Sequence, residues 1–243
     1  MKIGTMATYP ARMDSLKETL PLIAPQLDIL HLYCNDYTRQ QARQIKEIAD
    51  NLIIARSEDL AGDLRDMGKA WPLMRDISEG IYFFMIDDDL LYPTDYCQRH
   101  IEAIEDHKSV SAVHGRQFRL YPIKNYFADT STIHLTSEQS NYVPLDVGGT
   151  GTVAWSTDYT VIPKQTIDDI RKFKGMCDIW FARIMRDIDA KIYSIPRKKD
   201  WITVRAGNDV HKTLGREFSK RSKKHCQFLN EYKWEPKRRR RRR

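Results

Sequence analysis

The chain has 243 residues, 41% hydrophobic and 30% charged, enough for a sizeable core in one large domain or two small ones. No apolar run is long enough to span a bilayer, the N-terminus lacks the apolar stretch of a signal peptide, and the four cysteines (Cys34, Cys97, Cys177, Cys226) show no paired spacing; a membrane span, a zinc site and a disulfide framework are all disfavoured, and a cytoplasmic compartment is expected. The net charge of +7 is unevenly spread: residues 1–195 carry 22 Lys/Arg against 28 Asp/Glu, residues 196–237 carry 12 against 5, and Arg238 to Arg243 add six more.

Lys2–Thr8 reads as a first strand and Met13–Leu20 as a helix with Leu16 and Leu20 on one face. Leu27–Cys34 is a second strand, and Thr38–Ala49 a helix that aligns Ala42, Ile45, Ile48 and Ala49. Leu52–Ala55 is a short third strand. Met67–Gly80 has helical spacing at Ala70, Leu73, Met74 and Ile77, with Pro72 tolerable in a first turn. The most informative stretch follows: the apolar strand Ile81–Ile86 runs straight into Asp87, Asp88 and Asp89, and Pro93 closes the loop. Three carboxylates at a buried strand end are costly without a compensating cation. Asp87 and Asp89, alternating on one side of an extended segment, are the natural ligand pair for a hard divalent ion, Mn²⁺ or Mg²⁺, with Asp88 pointing away. A solvated turn is the plain alternative.

A helix from about Thr94, with that hydroxyl as cap, and a strand over Ser109–Gly115 complete a strand–helix alternation that argues for a mostly parallel, two-side-covered sheet. Residues 116–146 have weak periodicity and suit loops or an antiparallel insertion near a site. Asp146–Trp155 is a Gly-rich turn entering a strand, in which Gly149 and Thr150 would let backbone approach a sugar or acceptor closely. Thr166 with Asp169 can cap a short helix. An amphipathic helix begins near Asp178, with Phe181, Ile184, Met185 and Ile188 inward, and Lys191–Ile195 is a last core strand. Trp155 and Trp180 can stack on a sugar ring or pack in the core. The basic stretch Arg216 to Lys224 points to an anionic partner, a membrane or nucleic-acid surface, and a membrane-peripheral location; the terminal Arg run reads as a tag or solvated tail.

Open α/β sheets bind ligands at the carboxyl ends of their strands. Here that edge gathers Thr8–Arg12, Asn35–Asp36, Asp63–Lys69 and Asp87–Asp89. These segments, in this order, resemble the GT-A glycosyltransferases of the family-2 type. Thr8-Tyr9-Pro10-Ala11-Arg12 followed by Leu16 resembles the opening motif with one residue inserted. Asn35-Asp36 stands where an Asp contacts the base, and Gly68-Lys69-Ala70 precedes the acidic strand. Asp87-Asp88-Asp89 occupies the DxD position, and Met176-Cys177-Asp178-Ile179-Trp180 the position of a Glu-Asp pair, with Cys177 in place of Glu.

The resemblance spans about residues 1–196. It implies a Rossmann-type mixed, mostly parallel sheet flanked by helices in one catalytic domain, 1–196, divided into a nucleotide-binding half, 1–115, and an acceptor-side half, 116–196. A basic segment, 197–237, would follow as a lid, and 238–243 as a tail. It implies a sugar moved, with inversion, from a nucleotide-diphosphate donor, UDP-linked in the first instance, to a hydroxyl on a glycan, lipid-linked sugar, protein or modified nucleic acid. Thr8, Tyr9, Arg12, Asn35, Asp36, Asp63, Lys69, Asp87 and Asp88 would bind the nucleotide. Asp89 and Asp87, with His211, would hold the metal, and Asp178 would be the base, although a helix-start carboxylate has a structural use too. His211 reads equally as an exposed loop histidine. Lys212, Arg216 or Arg205 would neutralise the departing diphosphate. Two other readings stay open. One is a nucleotidyltransferase that makes sugar nucleotides, although Ala7-Thr8-Tyr9-Pro10 lacks the expected glycines. The other is a non-enzymatic basic protein that binds nucleic acid or acidic lipid.

Overall fold

The computed structural model describes residues 1–205 and 222–231. In chain order the elements are β1 (Lys2–Thr8), α1 (Met13–Ile23), β2 (Ile29–Cys34), α2 (Arg39–Lys46), β3 (Leu52–Arg56), β4 (Tyr82–Ile86), β5 (Leu90–Leu91), α3 (Tyr96–His107), β6 (Val110–Ala112), β7 (Gly115–Phe118), β8 (Thr130–Ile133), β9 (Val143–Leu145), β10 (Val147–Gly148), β11 (Thr152–Ser156), α4 (Ile167–Lys172), α5 (Cys177–Asp187), β12 (Ile192–Ser194) and β13 (Thr203–Val204). Residues 222–231 form a further helix, α6.

Eight strands make the central sheet, in the order β3-β2-β1-β4-β11-β6-β12-β9. Its pairings from β3 to β4 are parallel, as is β6 with β12; β11 and β9 run against them. The sheet is therefore α/β, mixed and mostly parallel, with helices on both faces. The alternation of side chains along each strand divides the core. Phe83, Met85, Val153 and Trp155 face a layer that includes Ile170, Phe181, Phe228 and Leu229. Phe84, Ile86 and Ala154 face the other, with Leu16, Leu20, Ile45 and Ile104. Each large buried side chain of this kind contributes roughly 1.5–3 kcal/mol of transfer free energy.

Two local expectations change. The helix expected over Met67–Gly80 is instead a run of 3-10 turns, Arg65–Met74. The chain is drawn tight against the sheet there: Thr5 Oγ1 donates to Lys69 O at 2.6 Å, and a Cβ on Gly68 would stand 2.6 Å from the Tyr33 ring. Thr94 does not cap α3. That helix starts at Tyr96 after Asp95 with no side-chain cap of its own, and Gln26 Oε1 instead accepts the Cys97 N–H at 3.1 Å. Residues 116–146 do supply an antiparallel insertion, a three-stranded sheet ordered β10-β7-β8.

Position 196 is not a break in packing. β13 pairs with β5, Ile202 is fully buried, and α6 places Cys226, Phe228 and Leu229 in the core. Of the basic C-terminal region, these parts belong to the body. All four cysteines are buried and free. Among the described residues no helix is long and apolar enough to cross a membrane.

Candidate active site

The strand register brings the site together. Met6 pairs with Ile86, Thr8 with Cys34 and Cys34 with Arg56, so β1 to β4 all end along one edge. Because β11 runs antiparallel, its first residue, Thr152, lies beside Ile86. That delivers the Gly149-Thr150-Gly151 turn to the same edge, next to Asp87.

The three aspartates occupy a turn rather than a continuing strand, since β4 stops at Ile86. Their surroundings differ accordingly. Asp87 accepts from the ammonium of Lys69, which is only 3% exposed and also donates to Thr150 O at 3.1 Å. Burial works against the Asp87 charge, but the Lys69 cation outweighs it and holds the carboxyl below the usual range. Asp89 accepts from Arg12 Nη1 at 2.7 Å; burial and the Asp87 charge push its carboxyl upward. Asp88 is 7% exposed, its Oδ2 has no hydrogen-bond partner, and burial pushes it up to about 7. The Tyr92 hydroxyl ties the turn down, accepting from Asp87 N at 2.8 Å and donating to Gly151 O at 2.7 Å. A Cβ on Gly151 would meet Asp87 Oδ2 at 2.0 Å, so only glycine fits.

Asp178 opens α5 on the far side of that turn. Its Oδ1 accepts from Thr150 N at 2.8 Å and from Thr150 Oγ1 at 2.6 Å. The helix start is set by Asp66, which accepts from Gly175 N at 2.7 Å and Cys177 N at 3.0 Å. Thr150 thus connects Lys69 and Asp87 to Asp178.

The remaining expected residues fall into distinct groups. Thr8 is buried with its hydroxyl 3.2 Å from the Tyr37 hydroxyl, and Tyr9 is exposed beside the Arg12 guanidinium. Asn35 is fully spent on backbone: it donates to Thr8 O and Arg65 O, both at 3.1 Å, and accepts from Leu64 N at 2.9 Å and Arg65 N at 3.1 Å. Its side chain has no group left for a base, so it positions the loop instead. Asp36 is exposed, with its backbone left-handed at φ 57° and its N–H donating to Ser57 Oγ. Asp63 pairs with Lys174 at 2.6 Å.

Trp155 and Trp180 are each 1% exposed. Trp155 stacks on Phe83 at 5.1 Å, and Trp180 Nε1 donates to Gln165 Oε1 at 3.2 Å. Core packing leaves neither ring a face for a sugar, which corrects the stacking reading. Arg205 pairs with Glu18 at 2.8 Å, while its backbone N–H donates to Asp89 O at 3.1 Å. His211, Lys212 and Arg216 lie outside the described residues.

Sequence reasoning missed His114, which directly precedes β7. Its Nδ1 is 2.9 Å from Thr152 Oγ1, and a Cβ on Gly149 would lie 1.9 Å from its Nε2. Burial lowers its basicity, while the Asp178 and Asp87 charges act the other way. The same strand-end rule that selected Asp87, applied to the Ser109–Gly115 strand, would have found it.

Among the described residues no group of three or more His, Cys, Asp or Glu side chains is arranged to hold a metal ion. The turn offers carboxylate oxygens, the donor type a hard cation takes, although Asp87 and Asp89 already pair with Lys69 and Arg12; among the described residues Asp88 Oδ2 is buried without a partner.

The sequence matches no protein-family model and no curated protein sequence. Similarity to solved structures is extensive. The 4-diphosphocytidyl-2C-methyl-D-erythritol synthase of Anaerococcus prevotii aligns over 90% of this chain and 96% of its own, with a TM-score of 0.51 at 10% identity. GalNAc-T7, solved with UDP, GalNAc and Mn²⁺, aligns over 79% of this chain with a TM-score of 0.54 at 6% identity; the chain spans 42% of that protein. At such identities the likeness establishes the fold alone: a mixed, mostly parallel central sheet flanked by helices, of the kind seen in these two proteins.

Proposed function

We propose that the chain is a glycosyltransferase that moves a sugar from a nucleotide-diphosphate donor, UDP-linked in the first instance, to a hydroxyl acceptor. One observation carries this reading: an acidic turn and a separate carboxylate, Asp178, lie to either side of a glycine-flanked threonine that is bonded directly to Asp178 and, through Lys69, to Asp87. Sugar transfer needs two such centres, one for the diphosphate and one for the acceptor proton. The nucleotidyltransferase alternative needs phosphate-cradling backbone after β1, where this chain has a Pro-containing 3-10 turn, Pro10–Arg12, whose arginine is paired with Asp89.

In this mechanism Asp178 takes the acceptor proton as the hydroxyl attacks. Two donors occupy its Oδ1, which fixes the carboxylate and presents Oδ2 to the acceptor. Attack from the face opposite the leaving diphosphate inverts the anomeric centre. Asp87 and Asp89 would hold Mn²⁺ or Mg²⁺, which when bound supplies charge stabilisation to the leaving diphosphate. Lys69 keeps Asp87 ionised from beneath, whereas Arg12 only offsets part of the burial and Asp87 repulsion that push the Asp89 carboxyl upward. Thr8, Tyr9 and Asp36 border the pocket for base and ribose.

The test is release of free nucleotide from a panel of UDP- and GDP-sugars, with and without EDTA. EDTA-sensitive UDP release supports the reading. Pyrophosphate release from a nucleoside triphosphate and a sugar 1-phosphate, without UDP release, would move the chain to the nucleotidyltransferases. A binding protein without either activity would show neither, and no thermal stabilisation by UDP with Mn²⁺.

A further inference from the structure

We propose that Arg116 is an anion-binding residue of the acceptor pocket, and that the acceptor carries a phosphate or carboxylate close to the hydroxyl being glycosylated. This rests on reading Asp178 as the acceptor-side base.

Arg116 is a half-buried cation without a counter-charge. Its guanidinium lies over two rings, 4.9 Å from the Tyr126 centroid and 4.8 Å from that of Phe127. Nη1 donates to Thr130 Oγ1 at 2.8 Å. Among the described residues no carboxylate pairs with it, whereas Arg12, Arg56, Arg183 and Arg205 each have one. Arg99 and Arg197 also lack a carboxylate: Arg99 lies over one ring, Trp201, and donates to Pro196 O at 2.8 Å, and Arg197 spends its donors on the carbonyls of His134, Leu135 and Ile195 and on Ser194 Oγ. Arg116 commits one side-chain hydrogen bond out of the five N–H groups a guanidinium offers. The aromatic faces hold its plane in place without neutralising it. A fixed, uncompensated fork is suited to bidentate recognition of an oxyanion.

Its location ties it to the acceptor side. Arg116 pairs across the strand from Val147, and the chain from Val147 runs directly into Gly149 and Thr150, which holds Asp178. Tyr126 feels both the Asp178 carboxylate and the Arg116 guanidinium. The ring is itself anchored: Tyr126 N donates to Ser222 Oγ of α6 at 3.2 Å, and the His225 ring lies 4.8 Å away. The fork is therefore preorganised by two segments distant in sequence.

The test uses the full-length protein saturated with UDP and Mn²⁺, so that the donor side is filled. Inorganic phosphate and glucuronate are titrated by calorimetry, with glucose as the neutral control. At least one anion should bind while glucose does not. Arg116→Met keeps the stem against both rings and should weaken anion binding at least roughly tenfold, and Arg116→Lys, a point charge without the fork, by a smaller factor. UDP-induced thermal stabilisation should survive in both variants. Preference for phosphate or for glucuronate assigns the acceptor to phosphorylated or uronic species, and either result supports the proposal. Unchanged anion binding in Arg116→Met, no anion binding by the wild type, or loss of UDP binding along with anion binding would overturn it. Should UDP fail to bind the wild type, the same titration without UDP still reads the anion site, and its acceptor role falls with the glycosyltransferase reading.

Discussion

On the β1–β4 side of the sheet edge, Asn35 spends its whole side chain on four backbone bonds that join the end of β1 to residues 64 and 65. On the β6–β10 side, Asn230 of α6 does a related job with less: it accepts from Ile123 N at 2.9 Å and donates to Ile123 O at 2.7 Å. The first side chain is buried between adjacent parallel strands. The second is half-buried and bridges segments more than 100 residues apart. The β1–β4 side is thus built from neighbouring strand ends, fixed by paired charges and saturated polar groups. The β6–β10 side includes a loop and a late helix clamped together by the two Asn230–Ile123 bonds. Substitutions on the two sides should therefore fail differently.

The largest effect lies where the sides meet. Asp178→Asn retains an acceptor for the Thr150 donors but cannot take a proton. Turnover should fall roughly 10²- to 10⁴-fold with little change in donor KM, read by steady-state nucleotide release. A variant that keeps near-wild-type rate would place the base elsewhere. Next comes Asn35→Ala, which leaves Leu64 N without its acceptor in a buried site and takes a donor from both Thr8 O and Arg65 O, while Arg65 N keeps Asp63 Oδ1 at 2.8 Å. A loss of about 3–5 kcal/mol in urea unfolding is expected. If only a few tenths are lost, the β1–β4 side is not the rigid one.

What could be read in the sequence follows the same division. The strand runs of β1, β2 and β4, the last continuously apolar, and the helical spacing of α1, α2 and α5 are local signals, and the structure has these elements within a few residues of where the sequence puts them. The Arg65–Met74 turns escaped because what selects 3-10 geometry is contact with Tyr33 and Thr5, from other strands. For the site, the acidic turn and the start of α5 were legible as places: an apolar strand ending in carboxylates, an amphipathic helix opening on Asp. The individual roles were less so. Asn35 had the right position but all its bonds are internal, Trp155 and Trp180 are indistinguishable by composition from binding aromatics, and Arg116 acquires meaning only from rings ten and eleven residues on.

Asp88 sharpens the comparison with a gain instead of a loss. Burial raises its carboxyl from 3.8 to about 7 in the folded protein. Between those values the unfolded chain releases the proton while the folded one keeps it, so stability falls as pH rises through that window and levels off above it. Asp88→Asn removes this penalty. In EDTA-containing buffer the variant should be more stable than wild type by up to about 4 kcal/mol at pH 8, the gap closing toward pH 4. A pH-independent difference would show that Asp88 ionises freely in the fold.

The smallest expected effect tests the β6–β10 side alone. Asn230→Ala removes two bonds to Ile123 in a half-buried position where water can replace part of what is lost. The cost should be about 1–2 kcal/mol, well below that of Asn35→Ala. Its distinctive reading is local. Tyr121 Oη also donates to Asn230 O, at 3.2 Å, and that backbone bond survives the substitution, so α6 should loosen without leaving. Amide exchange should accelerate at Ile123 and Tyr126 while β1 and β4 remain protected. Uniform acceleration through both halves would mean that the two sides open as one unit. In that case the contrast between Asn35 and Asn230 would be one of bond number and not of architecture.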